Sequence, residues 1–165
     1  MKYIKLIIIS FLFLSLLITG LSLIFPSTVI VSRAMNMNAP KDSVMIFLKD
    51  FEGWKQWIKA MNDSSVVLIS KTDANLAGTD VKISRVDEQG VYTIWTSRTG
   101  KKMIGEIHLF NNTNSPNITV VQWQFEQKLK WYPWEKFASL MSDKIMGPMM
   151  EANLDELRKL VEKTK

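Results

Sequence analysis

The chain contains no cysteine. Disulfides, thiolate metal sites and cysteine nucleophiles are thereby excluded, although this absence does not fix the compartment. There is one histidine, His108. A histidine-based triad or a histidine metal cluster needs more partners than that. Internal repeats and low-complexity tracts are missing. So is any block of like charge. The net charge of +5 includes Lys2 and Lys5, leaving +3 once those two are set aside. The remaining basic residues are scattered among acids, so the chain lacks the basic stripe of a nucleic-acid binder and no nucleic-acid partner is expected.

What is present begins with an apolar run. Leu6 to Phe25 holds twenty residues without a charge. At ~1.5 Å per residue, such a helix spans a hydrocarbon core of ~30 Å. A secretory signal peptide is the alternative. Its apolar core is usually only about 7–15 residues and ends in a small-residue cleavage site. Here the run ends at Phe25-Pro26, and Gly20 with Ser22 offers only a weak cleavage pattern. Residues 1–26 are therefore read as a retained membrane anchor, and 27–165 as one following domain. Lys2 and Lys5 lie on one side of the run; Arg33 and Lys41 are the nearest positives on the other. That small bias puts the domain outside the cytoplasm, on a single-pass membrane protein.

Ser27 to Met37 is β-branched and alternating, and reads as a strand. Asn38-Ala39-Pro40 opens a helix with Asp42 in its first turn, burying Val44, Phe47 and Leu48. Phe51-Glu52-Gly53 is read as a turn, and Trp54 to Ile58 as a second short helix. Trp54 and Trp57 are three apart and share a face. From Ser65 the period changes to two. Strands are expected over Val66–Lys71, Thr79–Val86, Val91–Arg98, Lys102–Phe110 and Ile118–Gln127, with Asp73 to Gly78 as a turn region. The short links imply antiparallel hairpins with one apolar face to cover.

The cover is the stretch from Pro133 to Lys163. Trp134, Phe137, Ala138, Met141 and Ile145, then Met149, Met150, Leu154, Leu157 and Val161, recur at helical spacing. Pro133 and Glu135 suit a first turn. Gly147-Pro148 predicts a kink. The methionines around it give the stripe an adaptable lining, either as core or as one wall of a cavity.

This order of elements resembles the START-like, polyketide-cyclase and lipid-transport superfamily, SRPBCC, with its helix-grip fold. The residues that carry the resemblance are Asn38 to Val44, Asp50-Phe51-Glu52-Gly53-Trp54 with Trp57, Gly78, Trp123, and Lys144 to Pro148 leading to Leu154, Leu157 and Leu160. They span about Val29 to Val161. The resemblance implies an α+β domain in which a curved antiparallel sheet of about six strands wraps a long kinked C-terminal helix, with an apolar cavity between them. It implies binding of a lipid or other hydrophobic small molecule more than chemistry. No catalytic residue, metal or cofactor is assigned from it.

The residues expected to line the cavity are Trp57, Trp95, Met103, Ile107, Trp123, Phe137, Met141 and Met149. Gly105, between Met103 and Ile107 on the inner face, is expected to leave room for a ligand. Trp131-Tyr132-Pro133-Trp134 reads as a clamp on the helix start, a lip at the cavity mouth, or a contact with the membrane interface. A polyketide cyclase or dehydratase is the alternative function, and a protein-interaction domain with a filled core is a third. The enzyme reading needs ionisable groups pointing inward, and Arg33, Arg85, Tyr92 and Arg98 are its strand candidates. His108 alternates onto the polar face with Glu106. Asp50 and Glu52 are paired carboxylates at a helix end.

Overall fold

The computed structural model describes residues 2–112 and 115–163. Helix α1 runs over Lys2–Ile24. It is the one helix, among the described residues, that is long and apolar enough to cross a membrane. Strand β1 (Thr28–Met37) follows after a few residues. Helix α2 (Lys41–Leu48) then buries Val44 and Leu48. Helix α3 (Phe51–Trp54) is a single turn capped by Asp50, whose carboxylate accepts the Gly53 N–H at 2.8 Å. That satisfies one of the donors a helix start leaves open. The Asp50 carboxylate is thus a structural cap. A methyl group on Gly53 would come within 2.7 Å of the Phe47 carbonyl, so only glycine lets α2 and α3 approach this closely.

A short 3-10 turn over Lys59–Asn62 leads into the sheet. Its strands are β2 (Val66–Leu68), β3 (Asp73–Leu76), β4 (Thr79–Asp87), β5 (Gly90–Thr96), β6 (Lys102–Asn112) and β7 (Ser115–Lys128). Seven strands make one sheet in the order β1-β7-β6-β5-β4-β3-β2. Every pairing is antiparallel. β3 is a difference from the sequence reading, which made this stretch a turn. Its composition is turn-like, but β2 and β4 hydrogen-bond it from both sides and Ala74 is buried. Tertiary pairing outweighs local preference here.

The register fixes which side chains meet. Arg33, Trp123, Ile107 and Val91 lie in one row across β1, β7, β6 and β5; Val31, Phe125, Gly105 and Thr93 lie in the next. These residues share the inner face, because alternate residues of a strand point the same way. The outer face carries Tyr92, Glu106, His108, Gln122 and Gln124.

The C-terminal helix lies on the inner face, as expected of a helix-grip arrangement. It comes in two pieces, α4 (Pro133–Ser139) and α5 (Ser142–Lys163). Helical backbone continues through Pro148. The run also divides at Leu140 and Met141, whose N–H groups donate to carbonyls three residues back. Gly147 has a different use. A methyl there would sit 2.1 Å from the Arg33 guanidinium, which bonds Asp143 at 2.8 Å and Glu151 at 2.5 Å. Arg33 therefore straps β1 to the first half of α5. In the second half, Met150, Leu154, Leu157 and Val161 form a buried stripe at helical spacing.

Candidate functional site

The interior between sheet and helices is an aromatic cluster. The Trp54 ring lies 5.8 Å from Trp57, 6.4 Å from Trp95 and 6.4 Å from Trp123. Trp57 and Trp123 meet edge to face at 5.5 Å, and Phe125 is 5.3 Å from both Trp95 and Trp123. Offset and edge-to-face pairs of this kind add about 0.5–1.5 kcal/mol each beyond area burial. A buried indole N–H also needs an acceptor. Trp54 donates to the Leu48 carbonyl at 2.7 Å and Trp57 to the Phe47 carbonyl at 3.0 Å. The C-terminal end of α2 thus serves both tryptophans. Trp95 donates to the Thr93 hydroxyl at 2.9 Å, which in turn donates to the Gly105 carbonyl at 2.9 Å. Trp123 Nε1 is buried with no partner among the described residues. Such an orphan costs about 1–3 kcal/mol and is a ready donor for a polar atom brought into the interior.

The expected room above Gly105 is not there. A methyl group on Gly105 would lie 2.5 Å from Thr93 Oγ1, 2.8 Å from the Phe125 ring and 3.0 Å from Trp95 Nε1. The glycine is needed because those side chains close over it.

Open space lies at one end of the sheet. A hollow of about 200 Å³ is lined by Thr79, Trp95, Ser97, Lys101, Lys102, Met103 and Gln127. An adjoining cleft of about 250 Å³ shares Lys101 and Lys102 and adds Lys128, Lys130 and Glu135. α4 crosses this end. Glu135, in its first turn, pairs with Lys101 at 3.1 Å and accepts the Lys130 N–H at 2.9 Å. The backbone N–H first, then Lys101, hold the Glu135 carboxyl below the ordinary glutamate range. A larger cleft of about 520 Å³ lies at the other end, among Lys41, Asp42, Met45, Val86, Asp87, Glu88 and Asn111. Charged groups dominate its lining, which suits an apolar ligand poorly.

The eight residues expected to line a cavity fall into three places. Trp95 and Met103 line the hollow. Trp57, Ile107 and Trp123 are fully buried in the core and do not line it. Phe137, Met141 and Met149 stand on the uncovered side of α4 and α5, in company with Leu140 and Ile145. Lys101, Glu135 and Gln127 were not expected at the site. Single charged residues beside a turn carry no signal that they will meet around an opening.

The strand candidates for proton chemistry lie elsewhere. Arg33 is taken up by Asp143 and Glu151. Arg85 stacks on Tyr92, 3.7 Å above the ring, on the outer face. Arg98 is exposed and packs beside Gly78. His108 bonds Glu106 at 3.0 Å on the outer face, as its alternation predicts, and Gln124 joins the same carboxylate at 2.9 Å.

No family model and no curated protein matches the chain. Solved structures do. A START superfamily protein from Mycobacterium smegmatis superposes with a TM-score of 0.63 at 16% identity, over 82% of this chain and 99% of that one. The chain has a START-like fold. Norcoclaurine synthase from Thalictrum flavum, solved with dopamine and hydroxybenzaldehyde, superposes on the START-like part with a TM-score of 0.62 at 15% identity, over 84% and 88% of the two chains. The di-domain ARO/CYC StfQ of steffimycin biosynthesis gives 0.63 at 9% identity, over 83% of this chain and 52% of that one. At such identities the likeness is one of fold.

Proposed function

We propose that this START-like protein binds a lipid or another hydrophobic small molecule at the hollow that Trp95 and Met103 line at the end of the sheet, while tethered to a membrane. In this reading, residues 1–26 are a retained single-pass anchor and 27–165 the binding domain, outside the cytoplasm. The observation that carries it is the hollow of Trp95 and Met103, which opens at the end of the sheet where α1 attaches. Binding is driven by desolvation, with each methylene removed from water contributing ~0.8 kcal/mol. The hollow, about 200 Å³, is smaller than an ordinary ligand site of about 300–1,000 Å³. A long ligand therefore leaves part of its length outside. Phe137, Met141 and Met149 are exposed apolar side chains of α4 and α5 that such a ligand could use, while Trp57, Ile107 and Trp123 belong to the buried core.

The test uses the full chain in lipid nanodiscs and an apolar fluorescent probe. Saturable uptake, reduced at least several-fold by Met103→Asp, is expected. Probe uptake no greater than that of empty discs would overturn the reading.

A further inference from the structure

The end of the sheet that carries the hollow has a composition of its own. Lys102 opens β6 and Lys128 closes β7, and these antiparallel neighbours bring both lysines to the same end. Lys101 lies in the β5–β6 turn, and Lys130 follows β7. The cleft between them holds four lysines and one carboxylate, Glu135. Lys101 is the one that Glu135 pairs. Lys102, Lys128 and Lys130 are exposed, and their ammonium groups form no salt bridge among the described residues; Lys130 reaches Glu135 through its backbone N–H. A net positive rim is left around the opening.

Directly beside it stand the aromatics. Tyr132 stacks on Trp134 at 4.8 Å and touches Trp131 at 4.9 Å. Trp131 is 61% exposed and Trp134 66% exposed. They face α1. A cleft of about 370 Å³ lies between Trp131, Pro133, Trp134 and the α1 residues Phe11, Leu14, Ser15, Ile18 and Thr19. The position is fixed from the other side of α4. Lys136, 2% exposed, donates to the Phe25 and Pro26 carbonyls at 2.8 and 3.1 Å and bonds the Ser27 hydroxyl at 3.0 Å. Phe137 meets Phe25 edge to face at 5.6 Å.

These contacts set a depth. Thr19 and Phe11 lie roughly 8 and 20 Å along α1 from its end at Ile24, at ~1.5 Å per residue. The two tryptophans thus reach alongside the part of α1 that would lie inside the bilayer. The lysines border them: Lys130 directly precedes Trp131, and Lys101 pairs with Glu135, next to Trp134. Amphipathic indoles beside long-stemmed ammonium groups that can reach up to phosphates suit an anionic leaflet.

Resting on the tethered reading above, we propose that the β5–β6 turn, the end of β7 and α4 form a docking face for an anionic phospholipid leaflet. Lys101, Lys102, Lys128 and Lys130 meet lipid phosphates, Trp131 and Trp134 enter the acyl layer, and the hollow opens onto the same leaflet.

The experiment uses the full chain in two kinds of nanodisc, phosphatidylcholine alone and phosphatidylcholine mixed with phosphatidylglycerol. Acetylation rates of individual lysines are read by mass spectrometry, with Lys59 and Lys82 as exposed references. Expected is a slowing of about ten-fold at the four rim lysines in the anionic discs, reversed by high salt. Quenching by brominated acyl chains should also fall in a Trp131→Phe, Trp134→Phe double variant. Equal rim rates in both discs, with the chain still embedded, overturn this proposal alone. Elution of the chain apart from the discs overturns the tethered reading and the docking face with it.

Discussion

Replacing Gly105 by alanine tests how full the interior is. The added methyl would meet Thr93 Oγ1 at 2.5 Å, the Phe125 ring at 2.8 Å and Trp95 Nε1 at 3.0 Å. None of these is the loose end of a flexible chain. Thr93 is β-branched and stiff, and both rings are held within the aromatic cluster. Moving the Thr93 hydroxyl breaks its bond to the Gly105 carbonyl and the one from Trp95, at about 1 kcal/mol each. Overpacking itself costs ~1–3 kcal/mol. Losing glycine's freedom in the unfolded chain returns about 0.4–1 kcal/mol. The net is a destabilisation of roughly 3 kcal/mol. For a protein of this size that lowers the unfolding temperature by about 6–12 °C, at ~2–4 °C per kcal/mol. Differential scanning calorimetry of the full chain in nanodiscs measures it. Gly105→Leu should lose more. If both variants unfold at or above the wild-type temperature, the space over Gly105 is open and the packing argument is wrong.

Lys136→Met should leave the Phe25 and Pro26 carbonyls without their donor and loosen α4 from α1, at about 1–3 kcal/mol; faster amide exchange confined to α4 and the start of β1 would show it. Glu135→Gln should weaken the hold of Lys101 on α4 and speed probe uptake several-fold in stopped-flow mixing, and an unchanged rate would count against α4 as a cover of the opening. The Asp143 carboxyl is held below the ordinary aspartate range by its bond to Arg33. Its folded pKa is depressed, so its stabilisation is present above the unfolded value and is lost as pH falls through the folded one. Exchange along the first half of α5 should rise on acidification in the wild type and already be fast at neutral pH in Asp143→Asn.

Much of this architecture was legible in the sequence because periodicity is a physical requirement. A half-buried strand must alternate, and β4 to β7 do. The stripe of Met150, Leu154, Leu157 and Val161 must recur at helical spacing to bury one side. β3 was hidden, since Asp73 and Asn75 favour turns until two neighbouring strands claim their backbone. Gly147 and Gly105 were informative as glycines, but the reason lay in what packs against them. Arg33 comes from more than a hundred residues away, and Thr93 from the adjacent strand. At the site, periodicity marks a face without naming what covers it. Phe137, Met141 and Met149 belong to the apolar pattern of the sequence, yet the chain leaves each of them more than 40% exposed. The pairing of Lys101 with Glu135 depends on where a turn and a helix start meet in space, and no local pattern encodes that.

Under the proposed function, a hydrophobic molecule occupies the hollow of Trp95 and Met103. Organic extraction of the gently purified full chain, followed by mass spectrometry, tests it most directly. One class of hydrophobic compound is expected at near-stoichiometric amount in the wild type, and its loss in Met103→Asp while the variant keeps its fold by circular dichroism. An extract holding only the bulk lipids of the source membrane, identical for both proteins, would contradict it.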